Sequence, residues 1–146
     1  MPATQHGCPF AIFFSTVPNP FMKFEHFALN VPDARAQSAW WVQHLGLTVA
    51  RKRDDAPYTH FLADETGRVI AEFYSNPSAA IPAYAQQHPL VFHVAFVATN
   101  AKADRERLEK AGATFVVEET PDGSSLVMMR DPWGVPLQFC QRSRPF

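Results

Sequence analysis

A ten-residue phrase occurs twice in the chain and constrains its fold more than any other feature. Residues 24–33 read FEHFALNVPD and residues 91–100 read VFHVAFVATN, so each copy places a histidine near the start of an apolar run and a turn-forming residue at its end. His93 lies 67 residues (93 − 26) after His26. Four further pairs keep that offset within one residue: Asp33 and Asn100, Gly46 and Gly112, Asp64 and Asp131, and Phe73 and Phe139. These ordered matches predict a duplicated unit of roughly 55 residues.

Both copies change their hydrophobic period in the same order. An apolar run typical of a strand comes first, and a segment with apolar residues at helical spacing follows it, ending in the first copy at Gly46. Three short runs of β-branched, aromatic and apolar residues come next, separated by turn sequences such as DDAP, ETG and DPWG. The order βαβββ therefore occurs twice, which predicts an α+β protein in which one helix covers one face of each small sheet.

The repeat also sets the domain organisation. We expect a first module over residues 23–77 and a second over 90–143, which together form one domain, since 146 residues are enough for one hydrophobic core of ordinary size. Prolines cluster before the first module and between the modules, and proline disfavours helix in both places. We therefore expect an N-terminal arm over residues 1–22 and a linker over 78–89.

Charge and cysteine content limit the partners of the protein. Thirteen Lys and Arg balance 14 Asp and Glu without a long block of either sign, so we expect it to bind neither nucleic acid nor a membrane surface. The apolar stretch of the arm is too short to span a bilayer and lacks the features of a signal peptide. Two cysteines without a CxxC motif favour a reducing cytoplasm. A small molecule is the expected ligand.

Sheet edges and the apolar arm predict a second copy of the chain as a partner. Paired four-stranded modules leave sheet edges exposed, and the arm sequence CPFAIFFSTVPNPF carries more apolar residues than a free tail usually does. We therefore expect a homodimer, with the arm packed on the partner or across its own sheet.

The alternation of residues in the first strand of each module predicts which face stays open. In the first copy the more apolar set is Phe27, Leu29 and Val31, which should pack under the helix. His26 then lies on the open face among small or polar neighbours. The same alternation in the second copy turns His93 outward, so both histidines are expected on open faces.

The last strand of each module adds a second donor at a matching position, Glu72 in the first and Gln138 in the second. The first and last strands of a module can be neighbours in a four-stranded sheet. If the modules pack about a pseudo-twofold axis, the two imidazoles and two side-chain oxygens converge on a site for a divalent metal such as Zn, Mn, Fe, Co or Ni. The residues expected to contact substrate beside this site are Asn30, His60, Tyr74 and Cys140.

The chain resembles the vicinal oxygen chelate superfamily of glyoxalases, bleomycin-resistance proteins and extradiol dioxygenases from residue 23 to about residue 143. The resemblance rests on FEHFALNVPD, on the helix ending WWVQHLGL, on FHVAFV with RLEKAGATFV, and on MRDPWGVPLQF. Members of this superfamily pair two βαβββ modules in a curved, cup-shaped mixed sheet with helices on its outer face. Metal-using relatives take their ligands from the first and last strands of each module, which implies His26, Glu72, His93 and Gln138 here.

The fourth implied ligand departs from the common patterns of the superfamily. Bacterial glyoxalases and the two-histidine, one-carboxylate dioxygenases carry a carboxylate where this chain has Gln138. An amide oxygen can coordinate a metal but cannot act as a general base, so the catalytic proton-transfer role falls to Glu72. The resemblance implies an isomerase, lyase or oxygenase whose metal chelates vicinal oxygens of the substrate. The alternative is a metal-free protein of the bleomycin-resistance type that binds or sequesters a small molecule, and the 13 phenylalanines suit that function.

Overall fold

The structure, a computed structural model, describes residues 22–146 and confirms the predicted α+β class with two βαβββ modules. The first module contains β1 (Phe27–Asn30), α1 (Ala34–Leu45), β2 (Thr48–Lys52), β3 (His60–Ala63) and β4 (Val69–Tyr74). The second contains β5 (Val94–Val97), α2 (Ala101–Lys110), β6 (Thr114–Glu119), β7 (Ser125–Arg130) and β8 (Pro136–Gln141). The predicted arm over residues 1–22 lies outside the described residues, apart from its last residue.

Each helix begins at a capping residue that the sequence supplies. The carboxylate of Asp33 accepts hydrogen bonds from the backbone N–H groups of Arg35 and Ala36, which have no partner within the first turn of α1. Asn100 caps α2 in the same way by accepting from the N–H of Ala103. The first helix ends at Gly46, whose φ of +76° is the left-handed conformation that glycine adopts without strain. The repeated turn residues therefore fix where both helices start.

The two sheets have the same topology. Strand order is β1-β4-β3-β2 in the first and β5-β8-β7-β6 in the second, with the first and last strands of each module parallel and the other pairs antiparallel. The first and last strands are thus neighbours, as predicted. Within residues 22–146 the two sheets share no strand pairing, so one chain does not close them into a single curved sheet.

One hydrophobic core joins the modules through the helix-covered sides of their sheets. Trp41 of α1 is fully buried, and its ring centroid lies 4.8 Å from that of Phe73 in the first sheet and 5.8 Å from that of Phe96 in the second. Phe27 and Phe92 make a further contact between modules, with centroids 6.4 Å apart. Because the helix-covered sides meet in this core, the open faces of both sheets are directed away from it.

A buried carboxylate also ties α1 to the second module. Asp131 is 2% exposed, and its Oδ2 accepts hydrogen bonds from Nε2 of Gln37 at 2.6 Å and from Nε1 of Trp41 at 2.9 Å. Its Oδ1 accepts from the backbone N–H groups of Trp133 and Val135 in the turn before β8. The DPWG turn is thereby held against a helix of the other module.

The segment between the modules is packed on the second module. Residues Tyr84–Gln86 form a 3-10 turn, and the guanidinium of Arg130 donates to the carbonyl oxygens of Tyr84, Gln87 and Gly134 at 2.6–3.0 Å. The linker is therefore tied to the same DPWG turn as α1. No helix in the described part of the chain is long and apolar enough to cross a membrane.

Candidate functional site

The open face of the first module brings His26 and Glu72 together. The parallel register sets Ala28 opposite Glu72, and the imidazole two residues before Ala28 places its Nε2 3.1 Å from Oε2 of Glu72. The two side chains are 22% and 21% exposed, so both are partly shielded but can be reached from outside. Nδ1 of His26 lies 2.5 Å from Oε2 of Glu25, a residue that sequence reasoning did not single out. The imidazole therefore lies between two carboxylates.

Phe61 is a further open-face residue that the sequence did not reveal. It is opposite Glu72 in the β3–β4 register, and its ring meets that of His26 edge-on with centroids 5.5 Å apart. The available signal was the alternation within YTHFLAD, which separates His60 from Phe61 but does not say which of the two faces outward. The pairing of β3 with β4 places Phe61 on the same face as Glu72.

His60 lies on the other side of the same sheet, away from His26 and Glu72. It is opposite the buried Phe73 in the register, is 7% exposed, and has Nδ1 2.7 Å from the carbonyl oxygen of Tyr58. The expected contact between His60 and substrate on the open face does not match this placement. The physical reason is the strand register, which turns Phe61 outward and His60 toward the helix.

The side chain of Asn30, another expected substrate contact, is occupied by hydrogen bonds within the protein. Its Nδ2 donates to the carbonyl oxygens of Asn76 and Ala79 at 3.0 and 2.9 Å, and its Oδ1 accepts from the N–H of Asn76 at 2.8 Å. These bonds hold the loop that follows β4, so Asn30 shapes the end of the open face. Tyr74 is opposite Asn30 in the register and is half-buried at the same end.

The second module presents Gln138 and His93 on its own open face. Gln138 is opposite Ala95, the position that matches Glu72 and Ala28 in the first module. Its Oε1 accepts a hydrogen bond from Sγ of Cys140 at 3.3 Å, and burial raises the pKa of that thiol, which favours the protonated donor. His93 differs from His26, because its Nδ1 lies 3.1 Å from the carbonyl oxygen of Pro89.

A groove of about 440 Å³ lies over this second open face. Its size falls within the usual range for small-molecule sites. Apolar side chains dominate its lining, and Gln138 is among the few polar groups. The other lining residues are His88, Pro89, Leu90, Val116, Val117, Glu119, Leu126 and Met128.

The predicted metal ligands are divided between the two open faces. No three His, Cys, Asp or Glu side chains form a potential metal site among residues 22–146. Nε2 of His26 and Oε2 of Glu72 are hydrogen-bonded to each other at 3.1 Å. The same separation is compatible with two ligands of a first-row divalent ion, because metal–ligand bonds of about 2.1 Å at about 90–110° separate donor atoms by about 3.0–3.4 Å. His93 and Gln138 lie on the face of the other module. The four predicted ligands therefore do not form one cluster within residues 22–146.

The paired βαβββ modules agree with one protein superfamily. Residues 23–139 match the model of the Glyoxalase/Bleomycin resistance protein/Dioxygenase superfamily, and the chain belongs to this superfamily. The resemblance found in the sequence is therefore confirmed. No curated protein matches the sequence significantly.

Solved structures share this fold at low sequence identity. TnmS3, an antibiotic-binding protein from Streptomyces sp. CB03234, superposes with a TM-score of 0.64 and 16% identity over 85% of this chain and 98% of that one. A possible glyoxalase from Bacillus cereus gives 0.59 and 20% identity, covering 82% of this chain and 99% of that one. A glyoxalase I mutant from Zea mays gives 0.62 and 19% identity, covering 82% of this chain and 45% of that one. At these identities the likeness concerns the fold alone.

Proposed function

We propose that the protein is a small-molecule metalloenzyme of the glyoxalase or dioxygenase type, in which His26 and Glu72 hold a divalent ion. The observation that carries this proposal is the 3.1 Å separation of Nε2 and Oε2 on a partly shielded open face. Imidazole and carboxylate donors suit Zn, Mn, Fe, Co or Ni, so the identity of the metal stays open. A cytoplasmic location remains a prediction from the cysteine content.

We propose that a homodimer completes the site. Both open faces are directed away from the shared core, and no three candidate metal ligands cluster within residues 22–146, which supports a second copy as the source of His93 and Gln138. The outermost strands β1 and β5 have an unpaired edge within residues 22–146, and Val97 of β5 is 93% exposed. Such an edge is a template for pairing with another chain.

The chemistry of this site depends on one carboxylate. A bound divalent ion polarises the vicinal oxygens of a substrate as a Lewis acid. Glu72 is the single carboxylate among the four proposed ligands, so it takes or returns the substrate proton, while the amide of Gln138 can coordinate but cannot accept a proton. Edge contact with Phe61 orients the imidazole of His26. The reaction class, isomerase, lyase or oxygenase, stays open.

A metal-free binding protein is the second candidate, and a specific feature favours it. The apolar groove over β6, β7 and β8 can accept a small molecule without any metal. The likeness to an antibiotic-binding protein agrees with this function, although it concerns the fold.

Calorimetric titration with Mn and Zn separates the two candidates. Wild-type protein should bind one ion per chain, and His26→Ala should lower affinity by more than about 100-fold, since even residues behind metal ligands are worth about 10–100-fold. Gln138→Glu should raise affinity, because it adds a second carboxylate beside the ion. His44→Ala is the control: it removes an imidazole at the end of α1, outside the proposed site, and should leave the affinity for both metals unchanged. Absence of binding in the wild type would leave the metal-free function.

Mixing two inactive variants tests whether the site lies between chains. His26→Ala and His93→Ala each damage every site of their own homodimer. A mixed dimer retains one intact site, formed by the first module of the His93→Ala chain and the second module of the His26→Ala chain. Random exchange should therefore restore about a quarter of wild-type metal binding. No recovery after subunits have been shown to exchange would contradict a site between chains.

A further inference from the structure

The two open faces carry residues of opposite character at matching positions. In the first module, Arg51, Phe61 and Glu72 follow one another across β2, β3 and β4 as register partners. The corresponding row across β6, β7 and β8 is Val117, Met128 and Gln138, and a register irregularity precedes Arg51 and Val117 alike. The residues of the two rows therefore occupy equivalent positions in the two modules. At the outermost position the first module carries the cation of Arg51, and the second carries the apolar side chain of Val117.

Arg51 differs from the two basic residues that follow it. Lys52 pairs with Asp54 at 2.8 Å, and Arg53 pairs with Asp55 at 2.6 Å. Arg51 has no ion pair in the described part of the chain, although it lies in an exposed strand. An arginine presents a planar fork of donors that binds carboxylate, phosphate or sulfonate through two hydrogen bonds. Its position in line with Phe61 and Glu72 places this fork at one end of the proposed site.

The other face supplies the complementary surface. Its groove of about 440 Å³ is lined mainly by apolar side chains, among them Leu90, Val117 and Met128, and its polar groups are His88, Glu119 and Gln138. A planar apolar body buried there would leave water, and apolar burial is the main source of affinity in such a groove. A ligand between the two faces thus meets an apolar surface on one side and, on the other, a guanidinium that has no ion pair within residues 22–146.

We infer that the site takes an amphipathic anion, with an aromatic or alicyclic body in the groove of the second module and an oxyanion bound by Arg51 of the facing first module. This inference rests on the proposed function, because the two faces meet only if the homodimer forms.

Two fluorescent probes that differ by one anionic group test the inference. 8-Anilinonaphthalene-1-sulfonate carries a sulfonate, and N-phenyl-1-naphthylamine is the same body without it. Wild-type protein should bind the sulfonate at least about tenfold more tightly, and Arg51→Gln should abolish that preference by weakening sulfonate binding alone, as expected for one lost charge-assisted contact. Lys52→Gln is the matched control, since it removes an adjacent, already paired cation and should preserve the preference. Val117→Asp should weaken binding of both probes.

The possible outcomes separate this inference from the proposed function. Equal preference for the sulfonate in wild type and Arg51→Gln would overturn the role of Arg51, and failure of both probes to bind would overturn the ligand class. Titration with Mn on the same samples should give equal affinity in wild type and Arg51→Gln. Discrimination between the probes without any metal binding would support the inference and refute the metalloenzyme.

Discussion

Replacing Asp131 should strongly destabilise the protein, because this buried carboxylate joins the two modules. Asp131→Ala removes the common acceptor of the side chains of Gln37 and Trp41 and of two backbone N–H groups. An unsatisfied buried donor costs about 1–3 kcal/mol. Desolvation offsets part of the gain, since burial raises the pKa of the Asp131 carboxyl despite these four hydrogen bonds.

We therefore expect Asp131→Ala to lower the free energy of unfolding by about 3–4 kcal/mol, near the range for breaking a buried charged contact. That loss is a large part of the roughly 5–15 kcal/mol that stabilises an ordinary domain. For a chain of this length it corresponds to a fall of roughly 10 °C in Tm. Asp131→Asn should cost about 2 kcal/mol, because the amide keeps one acceptor oxygen but turns an NH₂ group toward donors.

Urea unfolding followed by tryptophan fluorescence and circular dichroism measures these losses. Asp64→Ala is the matched control, since Asp64 occupies the equivalent place in the first module but accepts hydrogen bonds only within its own turn, from Thr66 and Arg68. It should cost less than about 1 kcal/mol. A double-mutant cycle that combines Asp131→Ala with Trp41→Phe should give an interaction free energy above about 0.5 kcal/mol. Equal losses in the two aspartate variants, or no coupling, would refute the role of Asp131 as a link between modules.

Two further predictions concern the linker. Gly134→Ala should cost about 2–4 kcal/mol, because Gly134 has a φ of +89° and an added Cβ would lie 2.6 Å from Cβ of Ala85. Gly67→Ala, at a φ of +81° in open space, should cost about 1 kcal/mol, so equal shifts in Tm would contradict close approach of the linker. Burial raises the pKa of Tyr84 to about 12, so above pH 10 the unfolded chain loses this proton first and stability falls with rising pH. Tyr84→Phe should flatten that fall and cost about 1 kcal/mol at neutral pH through the lost hydrogen bond to Asn30, whereas parallel pH profiles would argue against it.

Local patterns determined the secondary structure and the orientation of each strand. The turn residues Asp33 and Asn100 start the helices because a capping side chain acts on backbone groups two or three residues away. Alternation along β1 and the residue after it identified Leu29 and Val31 as core residues, because successive side chains of an extended chain point to opposite faces of a sheet. Such interactions depend on neighbours in sequence, so the amino-acid order alone is enough to predict them.

Contacts between distant segments decided the composition of the site. The two histidines occupy equivalent places in the repeat, yet His26 meets Glu72 while His93 meets the carbonyl of Pro89 in the linker. The sequence also did not reveal that the loop after β4 occupies the amide of Asn30. The link from Asp131 to Trp41 spans 90 residues. The partners of these side chains depend on strand register and on how the modules pack. A side chain has several possible partners in the sequence, and only the fold fixes which one lies within hydrogen-bonding distance.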